Sequence, residues 1–176
     1  MKTLDEDRIK EAERNVKSYI NEGLIFKKEF NPLIFRILLN NAEESLKVAK
    51  LLYEQNHSDF WAIVASYYSM YYSANAVLFK LGYKIGDKIS HKVTAESLIV
   101  FVRHKLKASL LEGYYETKEI ALAGIKADSL IESFDLERGK RGRLQYELTE
   151  EAKHSKAKTS FERAREFLAE MEKLIL

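Results

Sequence analysis

The chain has 176 residues, with one proline, seven glycines, no cysteine and a formal charge of +2 at pH 7. Without cysteine it holds no disulfide, no thiolate metal site and no cysteine nucleophile. A charge this small does not identify a nucleic-acid binder, so any basic site must come from local clustering. The length fits one domain with a continuous core, and the scarcity of turn residues favours long helices over a sandwich or barrel. The charged start MKTLDEDRIKEAER carries no apolar leader core, which predicts a cytoplasmic protein.

Residues 4–28 pattern as a helix, with Ile9, Ala12, Val16, Ile20 and Leu24 on one stripe. Residues 1–30 are read as an N-terminal helical extension and 31–176 as the bundle domain. Asn31 can cap a second helix with Pro32 in its first position, and Ile34, Leu38, Ala42, Ala49 and Leu52 mark its face to about Gln55. Ser58 and Asp59 supply a cap and a first-turn carboxylate for a third helix that stops at Gly82. The connector YKIGDKIS reads as a loop, after which Ser90 caps a fourth helix to about Lys107, with Ala95, Leu98, Val102 and Leu106 inward. Helical spacing continues from Ala108 to Asp135 through Leu111, Tyr115, Leu122, Ile125 and Leu130, with Gly113 and Gly124 as breaks or points of close packing. The last helix takes Thr149 as cap and Glu150 and Glu151 in its first turn. Its inner face is Ala157, Phe161, Ala164, Leu168, Met171 and Ile175.

The run FWAIVASYYSMYYSANAVLF, Phe60 to Phe79, is 20 residues without a charge in a chain that is 32% charged. That matches the ~20 residues of a membrane span. Its composition argues against one: Tyr67, Tyr68, Tyr71 and Tyr72 lie mid-run, where a spanning helix keeps such rings at its interfaces. The run is therefore read as a central helix covered by protein. Ala62, Ala65, Ser66, Ser69, Ser73 and Ala76 form a small-residue face that invites close approach, either by a second copy in a homodimer or by the first helix.

Chemistry has few candidates. His57, His91, His104 and His154 are scattered and none has a metal-ligand spacing such as HExxH; Glu151 and His154, three apart, are a common pair on solvated helices. Ser66, Ser69 and Ser73 occupy packing positions, and GYKIGDKIS lacks the strand and the GK[ST] ending of a phosphate loop. No metal or cofactor is implied. The remaining feature is ERGKRGR, residues 137–143, which packs Arg138, Lys140, Arg141 and Arg143 ahead of a helix start. Guanidinium forks beside free backbone N–H groups suit a phosphate, while the bland reading is a solvated basic end of the preceding helix.

Three stretches together resemble the HEPN superfamily: ASYYSMYYSANAVLFKLGY at 65–83, SHK at 90–92, and Arg141, Gly142, Arg143, Leu144, Gln145, Tyr146 against a branch signature R-x-R-x-D-Y. The resemblance spans residues 32–174 and implies an all-α, up-down helical bundle of four to five core helices plus the N-terminal helix. It also implies a homodimer whose signature arginine lies in a cleft at the interface. Many members are metal-independent endoribonucleases or toxins in which Arg holds phosphate charge and a His a few residues later moves protons. Others bind nucleotides, or pair with a nucleotidyltransferase in toxin-antitoxin-type systems. Here Tyr146 stands where the His would be and Gln145 replaces the Asp, and a phenol of pKa ~10 is a poor proton shuttle at neutral pH. The leading expectation is binding of nucleotide or RNA phosphates by Arg138, Lys140, Arg141 and Arg143. The alternatives are a ribonuclease using Arg141 with Tyr146 or His91, and a nucleotidyltransferase partner with Tyr146 as acceptor.

Overall fold

In the computed structural model, which describes residues 4–134 and 150–175, the order is α1 (Glu6–Asn21), β1 (Ile25–Lys27), α2 (Pro32–Glu54), α3 (Asp59–Lys80), β2 (Tyr83–Ile85), α4 (Ser90–Phe101), a 3-10 turn (Arg103–Lys105), α5 (Ala108–Phe134) and α6 (Glu150–Lys173). This is the all-α bundle expected. The second and third helices begin at their predicted caps: the Asn31 side chain accepts from the backbone N–H of Leu33 at 2.9 Å, and Ser58 Oγ from that of Trp61 at 3.3 Å. Helix α3 ends at Lys80, and Gly82, at a φ of 88°, turns the chain out of it.

Three boundaries differ from expectation. Helix α1 stops at Asn21, because Gly23 takes a φ of 68° and the end closes on itself. The Leu24 N–H donates to the Tyr19 carbonyl at 2.8 Å and the Gly23 N–H to that of Ile20 at 3.2 Å, the paired bonds of a glycine-terminated helix. Ile25–Lys27 then pairs antiparallel with Tyr83–Ile85, Ile25 opposite Ile85 and Lys27 opposite Tyr83, so the first three of the eight residues expected as loop are strand. Ser90 does not cap α4. It is the first helical residue, preceded by Ile89 in a left-handed conformation with no side-chain cap. The helix is also shorter than expected: Arg103 Nη1 donates to the Ile99 carbonyl at 2.9 Å, satisfying an end that Leu106 then leaves in extended backbone.

Helix α3 packs against α2, α4, α5 and α6, and its small residues Ala62, Ser66, Ser69, Ser73 and Ala76 are buried within the chain. Helix α1, expected as an alternative cover for that face, lies instead on α4. The serines act as packing residues, Ser66 Oγ donating to the Ala62 carbonyl at 2.7 Å and Ser73 Oγ to that of Met70 at 3.0 Å. Gly124 is a point of close packing, where the Phe60 ring occupies the space a Cβ would need. Among the described residues no helix is long and apolar enough to cross a membrane.

Helix α1 is held by a second apolar cluster, Val16, Tyr19, Ile25 and Val93, and by one buried ion pair. Arg8 Nη1 donates to Glu96 Oε2 at 2.9 Å and Nη2 to Oε1 at 2.6 Å, with Tyr115 Oη 3.1 Å from Nη2. The two side chains are 11% and 6% exposed, so removing one leaves a charge without water or partner. Arg8→Ala is expected to cost about 3–5 kcal/mol, whereas replacing both members by apolar residues of similar volume should cost far less. Urea unfolding of the single and double variants checks this; an equal loss in both would contradict it.

Candidate functional site around His91

His91 sits in the first turn of α4, one turn from the wall that α3 presents. The Tyr67 hydroxyl and His91 Nδ1 are 2.7 Å apart, and the rings of Tyr67, Tyr68 and Tyr71 lie 5.5, 5.8 and 4.6 Å from the imidazole. Tyr67 is fully buried, and burial holds its phenol far above the ordinary range, so it keeps its proton. Its hydroxyl shares a hydrogen bond with His91 Nδ1 and has the Tyr114 phenol as a second neighbour, so the phenol anchors the imidazole against α3. Burial, and then the nearby Lys118 ammonium, push His91 below its ordinary value, so at neutral pH it is an uncharged N–H donor.

A cavity of about 850 Å³ opens beside it between α1, α4 and α5, lined by Arg8, His91, Glu96, Glu112, Tyr115 and Lys118 among others. Its strongest charges are already engaged. Arg8 is spent on Glu96, and Lys118, 8% exposed, pairs with Glu119 at 3.1 Å. Tyr115 carries Lys118 at 4.9 Å and Arg8 at 5.4 Å from its ring centroid. Its phenol is pushed far up, chiefly by burial and then by Glu96. The imidazole, Lys92 and Glu112 are the lining polar groups with no such partner inside the bundle.

Of the site residues expected from sequence, His91 is described. Arg138, Lys140, Arg141, Arg143 and Tyr146 lie outside the described residues, as does the expected cap Thr149. His154 makes a structural link: its Nδ1 is 3.0 Å from Asp59 Oδ1 and its ring stacks on Tyr53 at 4.9 Å, joining α6 to the start of α3. Among the described residues no cluster of His, Asp and Glu could hold a metal ion. Sequence reasoning missed Tyr67 as the partner of His91, together with Lys118 and the Arg8–Glu96 pair. Glu96 carried a signal, being the sole charge between Lys92 and Arg103. A lone carboxylate in an apolar run asks for a buried partner.

The sequence model of the HEPN domain matches residues 35–174, from the first turn of α2 to the end of α6, leaving α1 and β1 outside the matched range. No curated protein and no solved structure matches the chain.

The His91 environment makes a signed prediction. Because the folded imidazole binds its proton more weakly than the unfolded one, the unfolded chain takes up more protons in acid. The contribution is complete above the ordinary value of 6.5 and is lost as pH falls below it toward the lowered folded value. Urea midpoints should therefore drop between about pH 7.5 and about pH 5.5, and the His91→Gln variant should lose less over the same interval. Lys118→Met should raise the His91 titration midpoint seen by NMR; a midpoint unmoved in that variant would refute the assigned cause.

Proposed function

The chain belongs to the HEPN domain family, and on that premise we propose that it binds nucleotide or RNA phosphates in a cleft between two copies of itself. The observation that carries the reading is the cluster Arg138, Lys140, Arg141 and Arg143, four cations in seven positions, inside the range the family model matches. Arginine suits this task because its fork meets two phosphate oxygens at once and stays charged at every physiological pH.

His91 supports binding over proton transfer. With Nδ1 engaged by the Tyr67 hydroxyl, the imidazole has one ring nitrogen left for a ligand. Burial lowers its basicity, which weakens it as a base toward a 2′-hydroxyl while leaving it able to hydrogen-bond a ligand. Tyr146, in the place of the family's usual His, is no better as a base at neutral pH. Binding without cleavage is therefore the favoured function, and the same experiment decides the ribonuclease alternative.

The Arg141→Ala/Arg143→Ala variant should bind RNA more weakly, with a flatter dependence of log affinity on log salt, by about 0.7 for each lost phosphate contact on a single strand. Labelled RNA incubated with the wild-type protein in EDTA should stay intact. Unchanged affinity and slope in the double variant would remove the phosphate site, and cleavage that disappears in Arg141→Ala would replace binding by catalysis.

A further inference from the structure

The two strands gather four helix ends at one end of the bundle. β1 follows α1 and leads into α2, β2 follows α3 and leads into α4, and the pairing of β1 with β2 brings both connectors together. Backbone bonds extend this ribbon past its strands, the Lys28 N–H donating to the Gly82 carbonyl and the Gly86 N–H to the Leu24 carbonyl, each at 2.9 Å. Its inner face is covered, because Ile25 and Ile85, opposite each other, join the cluster that holds α1 on α4. Phe26 and Lys84, the next opposed pair, therefore share the outer face.

The surface at this end is apolar and basic at once. Of the ten large apolar side chains exposed among the described residues, six are here: Ile20 in the last turn of α1, Phe26, Phe30 and Leu33 around the start of α2, and Leu81 and Ile89 between α3 and α4. Beside them stand Lys27, Lys28, Lys80, Lys84 and Lys88, all exposed and none ion-paired among the described residues. Lys80 Nζ lies 5.0 Å from the Phe30 ring centroid, and Lys27, Lys28 and Leu81 border one shallow cleft, so the two kinds of side chain are interleaved. Glu22 and Glu29 balance Lys27 and Lys28. The excess comes from Lys80 to Lys92, where four lysines meet a single carboxylate, Asp87, in a chain whose formal charge is only +2.

We propose that this end of the bundle docks on an anionic lipid surface, with the ammonium groups among the headgroup phosphates and the tips of Phe26, Leu33, Leu81 and Ile89 in the acyl boundary beneath them. The protein lies on the bilayer and does not cross it. Lysine suits diffuse headgroup charge, since its flexible stem carries a compact ion that needs no fixed partner geometry. Other occupants leave part of the surface unmatched. The phosphate backbone of RNA would satisfy the lysines and offer nothing to the aliphatic tips. A second copy meeting this end about a two-fold axis would set lysines against lysines. A different protein needs a packed apolar core in its interface, whereas these tips are set singly among cations at the turns, and the cleft between them is bordered by Lys27, Lys28 and Glu29 as well as Leu81. Lipid chains flow around single side chains and demand no such fit. The proposal is independent of the RNA-binding reading, which uses residues 138–143.

The full chain should co-sediment with vesicles of equal parts phosphatidylserine and phosphatidylcholine, and not with phosphatidylcholine alone, and added salt should weaken the binding. In Lys84→Gln/Lys88→Gln the partition coefficient should fall about 25-fold, about fivefold for each charge. Leu33→Ser/Leu81→Ser, at positions the fold leaves exposed, should lower it about tenfold with the salt dependence kept. Arg141→Ala/Arg143→Ala should bind vesicles as the wild type does, so the lipid and RNA sites fail separately. Absence of binding to the acidic vesicles, or equal binding to both kinds, overturns the proposal. Wild-type partition in the serine variant removes the insertion and overturns it too. If the wild type ignores vesicles while the lysine variant loses RNA affinity, the end belongs to RNA; if the serine variant sediments differently without lipid, it belongs to contact between copies. Either result replaces the lipid surface.

Discussion

The fold depends on one constraint: a helix without charge from Phe60 to Phe79 has no face suited to water. Most of its surface must be covered by other helices, and α2, α4, α5 and α6 surround it. The approach is close because many of its residues are small. Ala62, Ser66, Ser69, Ser73 and Ala76 are fully or nearly fully buried, and α2, packed along α3, contributes Ala42 and Ala49, each 0% exposed. Serine is tolerated at such positions because its hydroxyl can return to the backbone carbonyl three or four residues earlier, as Ser66 and Ser73 do. Coverage is incomplete on one stripe, and there the helix shows rings instead of aliphatic groups or charges.

The ends of the central elements were legible because they are set by local chemistry. Asn31 with Pro32, Ser58 with Asp59, and Gly82 each act within one turn of the boundary they define, so their roles can be read without knowing the fold. Elsewhere the apolar spacing masked local turns at Gly23 and Ile89, and a distant partner decided the strands. Leu24 continues the spacing of Ile20, yet Gly23 ends α1, and the pairing of Ile25–Lys27 with Tyr83–Ile85 turns both segments into strand. Ser90 has the right type and place for a cap, but the backbone turns one residue earlier, at Ile89. Periodicity describes a face, and it cannot say which segment returns to pair with it.

The same division holds at the site. His91 was recognisable as a titratable residue just after the central helix. Its anchorage and its loss of basicity come from Tyr67, 24 positions away, and from Lys118 on α5, neither of which the sequence associates with it. The clasp on α1 is of the same kind. Arg8 and Glu96 are 88 positions apart, and their mutual geometry is what makes two buried charges tolerable. Such a pair adds little net stability compared with an apolar contact. Its consequence is specificity of docking, since a helix that shifts by one turn would leave Glu96 without a partner in a nearly closed position.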